Sequence, residues 1–162
     1  MSSATNDLSK ILKKIEKTIG EAISKNAMAK LGQFSVDIIV RRTRLGYGVD
    51  KELGPRSRLA GLSEKYIQKR KGIRLDATTR PARSNLTNTG QMLRSMGFKV
   101  LEPGKLLIEP EGARDDGYTN IQIAEFNADR GRIFNNVSDN EFLQILRFYK
   151  RNFTDLLKKV RL

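Results

Sequence analysis

From Leu8 onward, apolar residues recur at three- and four-residue steps: Leu8, Ile11, Leu12, Ile15, Ile19, Ala22, Ile23, then Met28, Leu31, Phe34 or Ser35, and Ile38. That spacing predicts one long amphipathic helix. Asn6 or Asp7 is placed to cap it, and Gly20 and Gly32, each about 1 kcal/mol weaker than Ala in a helix, mark candidate bends. A second run, Phe142, Ile145, Leu146, Tyr149, Phe153, Leu156, Leu157 and Val160, predicts a terminal helix. Ser138-Asp139-Asn140-Glu141 opens it as a capping box, in which hydroxyl and carboxylate satisfy exposed backbone donors reciprocally. Lys158, Lys159 and Arg161 suit the negative end of its dipole.

Between the two runs the periods are short. Residues 98–102 and 105–109 flank Pro103-Gly104 and predict a β-hairpin. A brief helix is expected over 63–70, with Ser63 as cap and Gly72 as stop. Another is expected to start at Thr87 or Thr89. A third runs over 120–128 with Ile121, Ala124 and Phe126 facing inward, and Arg132-Ile133-Phe134 reads as an edge strand. The sum is a single α+β domain over 1–162. Its small antiparallel sheet packs against the long N-terminal helix and the capped C-terminal helix. Glycine and proline punctuate residues 41–85, which read as a basic, mobile loop segment.

Composition narrows the chemistry. The 162 residues are one domain's worth and bury a sizeable core without staples. There is no Cys and no His. Disulfides, thiolate nucleophiles, imidazole metal sites and Ser–His or Cys–His pairs are thereby excluded. No apolar run approaches the length of a bilayer span, and the first ten residues lack the layout of a signal peptide, so a soluble intracellular product without a membrane partner is expected. Gly104-Lys105-Leu106 fails as a phosphate loop: Lys99 stands where the leading Gly should be and Leu106 replaces the Ser/Thr that reaches magnesium. Asp115-Asp116 has the oxygen donors of a divalent-metal site but reads as a solvated pair. The chain is therefore read as non-enzymatic, with no metal and no cofactor.

Charge supplies the best chemical lead. Lys plus Arg number 31 against 18 acidic residues, a formal +13. Residues 41–83 hold thirteen of the basic residues against four acidic ones. Arg41, Arg42 and Arg44 crowd a helix end, Arg56 and Arg58 bracket a Gly/Pro turn, and Lys69, Arg70 and Lys71 finish the short helix. Guanidinium forks take phosphate and carboxylate alike, so these residues are expected to face double-stranded DNA or an acidic protein. Only Tyr47 and Tyr66 interleave them and Trp is absent, which argues against a stacking platform for single strands. Lys10, Lys13, Lys14 and Lys17 lie opposite the apolar stripe of the first helix. They read as a solvated face, the alternative being a membrane-surface helix.

The order of elements, with three short signatures, resembles the tailed-phage virion morphogenesis family, which comprises tail-completion, head–tail joining and tail-terminator proteins. The signatures are Leu86, Thr89-Gly90, Met92 and Ser95; Ala124-Glu125-Phe126; and Arg132, Phe134, Ser138 and Asp139. The likeness spans about residues 20–160. The chain departs from the pattern in its Arg-rich stretch between Ser63 and Leu86 and in the reduced approach to the last helix, Arg130-Gly131-Arg132-Ile133-Phe134. The resemblance implies a structural virion protein of a long-tailed bacteriophage, made in the host cytoplasm. Such a protein forms a ring, commonly a hexamer, at the head–tail neck or tail terminus, between a tail-tube protein and a connector, with double-stranded DNA passing through. Leu86, Thr89, Gly90, Ser95, Ala124, Phe126, Phe134, Ser138 and Asp139 are then fold-determining positions. The competing expectation is a basic nucleic-acid-binding accessory protein.

Overall fold

The computed structural model describes residues 2–50, 54–72, 82, 86 and 90–159, with backbone alone at 2–9 and 159. Thr87, Thr89, Val160 and Arg161 lie outside the described residues, as do Lys51, Arg74, Arg80 and Arg83, four of the thirteen basic residues of 41–83.

The first periodic run folds as two helices, α1 (Ser2–Ala22) and α2 (Lys25–Arg44). The break falls at Ser24, whose hydroxyl accepts from the Ala27 N–H as the cap of α2. Neither Gly20 nor Gly32 makes the bend. A serine hydroxyl that satisfies a free backbone donor starts a helix more effectively than a glycine weakens one. Helix α1 already runs from Ser2, so Asn6 and Asp7 lie within it rather than at its start.

Two short strands follow inside the stretch expected as loop. Strand β1 (Tyr47–Val49) pairs antiparallel with β2 (Arg56–Arg58), Tyr47 opposite Arg58 and Val49 opposite Arg56. Helix α3 (Glu64–Lys71) has the expected cap Ser63 and stop Gly72. Helix α4 (Gln91–Arg94) has Gly90 at its N-cap position, in the left-handed conformation, φ 70°. A residue with a Cβ is disfavoured there, which gives the Thr-Gly signature a backbone reason for its glycine. The hairpin of β3 (Met96–Glu102) and β4 (Lys105–Pro110) turns at Pro103-Gly104. Helix α5 (Asn120–Ala128) carries a capping box of Thr119 and Gln122, and α6 (Asp139–Lys159) is the last element.

The class is α+β, with two separate two-stranded sheets among the described residues. The β3–β4 hairpin lies on α2, and α6 packs along α1 and α2 rather than chiefly on a sheet face. The core joins Val36 and Ile39 of α2 to Leu59, Met92, Leu93, Met96, Ala124 and Phe134. Arg132-Ile133-Phe134 is not a strand. It is irregular backbone beside β1, tied by the Val49 N–H to the Ile133 carbonyl and by Arg132 to the carbonyls of Ala60 and Gly61. In α5 only Ala124 of the three expected residues is buried. Ile121 and Phe126 are exposed, Ile123 packs on the core instead, and Phe126 meets Tyr118 edge-on at 5.8 Å. In α6 the apolar stripe is only partly covered: Phe148 stacks on Phe34 of α2, whereas Phe142, Leu143, Leu146 and Leu157 remain exposed.

Candidate functional site: an arginine-lined cleft

The C-terminal turns of α2, strand β2 and the N-terminal turns of α6 enclose a cavity of about 540 Å³. Four arginines line it: Arg41 and Arg42 from α2, Arg56 from β2 and Arg147 from α6. Ile38, Leu45 and Leu143 make its apolar walls.

Arg42 is the fixed member. It is only 2% exposed, and its Nη1 lies 2.6 Å from Glu141 Oε2 and 2.9 Å from the Asn136 carbonyl. Its Nη2 donates to the Phe134 carbonyl. The same Glu141 oxygen accepts from the Ser138 N–H and the Ser138 hydroxyl, both at 2.9 Å. Of the capping box expected from sequence, the Glu141 half forms and a guanidinium from α2 closes it, but the Ser138 hydroxyl donates to that same carboxylate rather than accepting from a backbone N–H, so the box is not reciprocal. Burial pushes the Arg42 guanidinium below its ordinary value; Glu141 opposes that shift and nearby Arg56 adds to it.

Arg41, Arg56 and Arg147 make no ion pair within the described residues. Arg56 is steered across its hairpin by Tyr47, whose ring lies 4.1 Å from the guanidinium carbon. Arg41 and Arg147 project freely, since both are exposed. The cleft therefore collects four guanidinium groups against one carboxylate, Glu141. An anionic group entering it would relieve mutual repulsion and gain bidentate partners together.

Of the basic residues singled out by sequence, the cleft brings together Arg41, Arg42 and Arg56. Arg44, Arg58, Lys69, Arg70 and Lys71 do not line it. Arg58, Lys69 and Lys71 are exposed elsewhere; Arg70 is 3% exposed, its guanidinium beside the Tyr66 ring, and burial lowers its pKa. Arg147 escaped the sequence reading. Its only signal was a polar stripe on α6 with Asn140 and Gln144 at helical spacing, all three of which line the cleft.

The signature residues sit mostly at structural positions. Phe134 is fully buried, Ala124, Ser138 and Gly90 are buried, and Leu86 packs on the core with a left-handed backbone, φ 55°. The Ser95 hydroxyl donates to the Met92 carbonyl, and Asp139 is the exposed first residue of α6. Phe126 is the exception, being 42% exposed.

Other features offer less chemistry. Asp116 pairs with Arg114 at 3.1 Å, and no group of three carboxylates that could hold a metal occurs among the described residues. A narrower cavity of about 320 Å³ lies where the α1–α2 elbow meets α6, walled by Leu31, Tyr149, Phe153 and Leu156. No helix among the described residues is long and apolar enough to cross a membrane. No protein-family model, no curated protein and no solved structure matches this chain.

Proposed function

We propose that the protein is a structural, non-enzymatic component of a long-tailed bacteriophage particle, a ring subunit at the head–tail neck or tail terminus. The observation that supports this reading most is the arginine cleft with apolar walls beside the uncovered stripe of α6. Together they make a surface suited to protein partners, on a small α+β domain in which Leu86, Gly90, Ala124, Phe134 and Ser138 of the signatures serve the interior. The partners in this reading are further copies of the chain, a tail-tube protein and a connector, with double-stranded DNA threading the ring.

The deciding experiment reverses Arg41, Arg56 and Arg147 to Glu. All three lie outside the core, and surface changes usually move stability by no more than about 0.5 kcal/mol each. The variant should remain folded yet fail to join full heads to tails in an in vitro assembly assay. Normal joining by a variant that has lost only its binding to free duplex would replace this reading with that of a nucleic-acid-binding accessory protein.

A further inference from the structure

The cleft has a counterpart on the same chain. Residues 109–129 hold six carboxylates and a single basic residue, Arg114, in a protein that is otherwise strongly cationic. Asp115, Glu125 and Asp129 are exposed and make no ion pair among the described residues. Beside them Tyr118, Ile121 and Phe126 are 47%, 39% and 42% exposed, and the Tyr118–Phe126 contact joins the acidic loop and the outer face of α5 into one patch. Lys99 holds Glu109 and Glu111 and Arg114 holds Asp116, so the acidic charge left for another copy is that of Asp115, Glu125 and Asp129, and no residue of 109–129 lines the arginine cleft.

We infer that the acidic–aromatic patch of one copy docks in the arginine cleft of the next. The cleft is a half-open concavity, polar over most of its lining, in which Leu45 and Leu143 stay about half exposed. Aromatic side chains flanked by carboxylates satisfy both the walls and the guanidinium forks. A duplex offers phosphates on a broad convex face and leaves those leucines in water. At physiological salt, charges further apart than about 8 Å are largely screened, so the net +13 opposes association weakly while the local contact keeps its attraction. Because the two surfaces differ, the contact is head-to-tail, the type that closes into rings or runs on as filaments. For ring closure the inference rests on the function proposed above; the two surfaces stand without it.

The test uses two variants of the full chain. One removes the cleft (Arg41→Ala with Arg147→Ala) and the other removes the patch (Asp115→Ala, Tyr118→Ala and Phe126→Ala). In sedimentation velocity at physiological salt and up to millimolar protein, the wild type should form a concentration-dependent series of oligomers. Each variant alone should associate at least about tenfold more weakly. Mixed in equal amounts, they should form a one-to-one dimer and nothing larger, since only one intact cleft and one intact patch remain in each pair. A monomeric wild type, association of either variant at wild-type strength, or a mixture that stays monomeric would overturn the inference. Circular dichroism checks folding, and a charge-only patch variant, Asp115→Asn with Glu125→Gln, repeats the mixing should the triple variant unfold. Mixed dimers from a chain absent from phage particles would remove the proposed function and leave this interface. Particles that need the cleft arginines while the mixture stays monomeric would do the reverse.

Discussion

The Glu141 carboxylate sits 2.6 Å from the Arg42 guanidinium, and through it the end of α2, the turn before α6 and the backbone of Phe134 and Asn136 converge on one buried point. Removing one partner of such a pair leaves the other buried and unmatched. Glu141→Ala should therefore cost about 3–5 kcal/mol, whereas a volume-matched apolar double replacement, Arg42→Met with Glu141→Leu, should cost much less. Denaturant melts of the three proteins check this; equal losses in the single and double variants would contradict it.

Phe134 and Phe142 lie close in sequence and far apart in burial. Phe134 is fully buried in the core and Phe142 is 43% exposed. Phe134→Ala should cost about 3–5 kcal/mol and Phe142→Ala well under half of that. The same melts compare them, and comparable losses would mean that a partner covers Phe142 under the conditions of the melt.

Two helical glycines should respond in opposite directions to alanine. A Cβ at Gly32 would come within 2.5 Å of the Phe98 ring, whereas one at Gly20 meets nothing within 4 Å. Gly32→Ala should destabilise by about 1–3 kcal/mol through overpacking of the hairpin on α2. Gly20→Ala should stabilise by about 0.5–1 kcal/mol by restricting the unfolded chain. Thermal melts in parallel suffice, and a shared sign would refute the packing of β3 against α2.

Arg114 holds the Asp116 carboxyl below its usual range, chiefly through hydrogen bonding, with the Tyr118 N–H adding to it and partial desolvation opposing. A depressed folded pKa means that the contact contributes fully above the unfolded value of about 3.9 and is lost as pH falls through the folded value. In an NMR titration Asp116 should titrate below the usual aspartate range, and Arg114→Ala should move it up toward that range. An unchanged titration in that variant would show that Arg114 does not hold the carboxyl.

What could be read in advance was what neighbours in sequence decide. Ser63 and Gly72 bound α3 and Pro103-Gly104 turns the hairpin, each through contacts within a few residues, whereas the Thr119–Gln122 capping box of α5 was not read although it too is local. The break at Ser24 was missed because the apolar stripe continues across it. The β1–β2 pair was missed because three-residue strands carry no period. Arg41 and Arg42 show the limit most directly: adjacent on one helix, one is exposed and the other 2% exposed. Which of the two turns inward is decided by where α6 docks, and that docking also recruits Arg147 to the cleft.

The Arg42 junction also has a timetable. Its carboxylate is encoded 99 residues after its guanidinium, which at ribosomal rates of about 5–20 residues per second is a delay of about 5–20 s. During nascent-chain growth α2 can wind and the β3–β4 hairpin can settle on it, but the end of α2 stays uncapped by its partner until α6 begins to emerge. Completion of the domain is therefore a late step in synthesis, and a chain arrested before Glu141 would present the quality-control machinery with an open core edge and an unpaired cation.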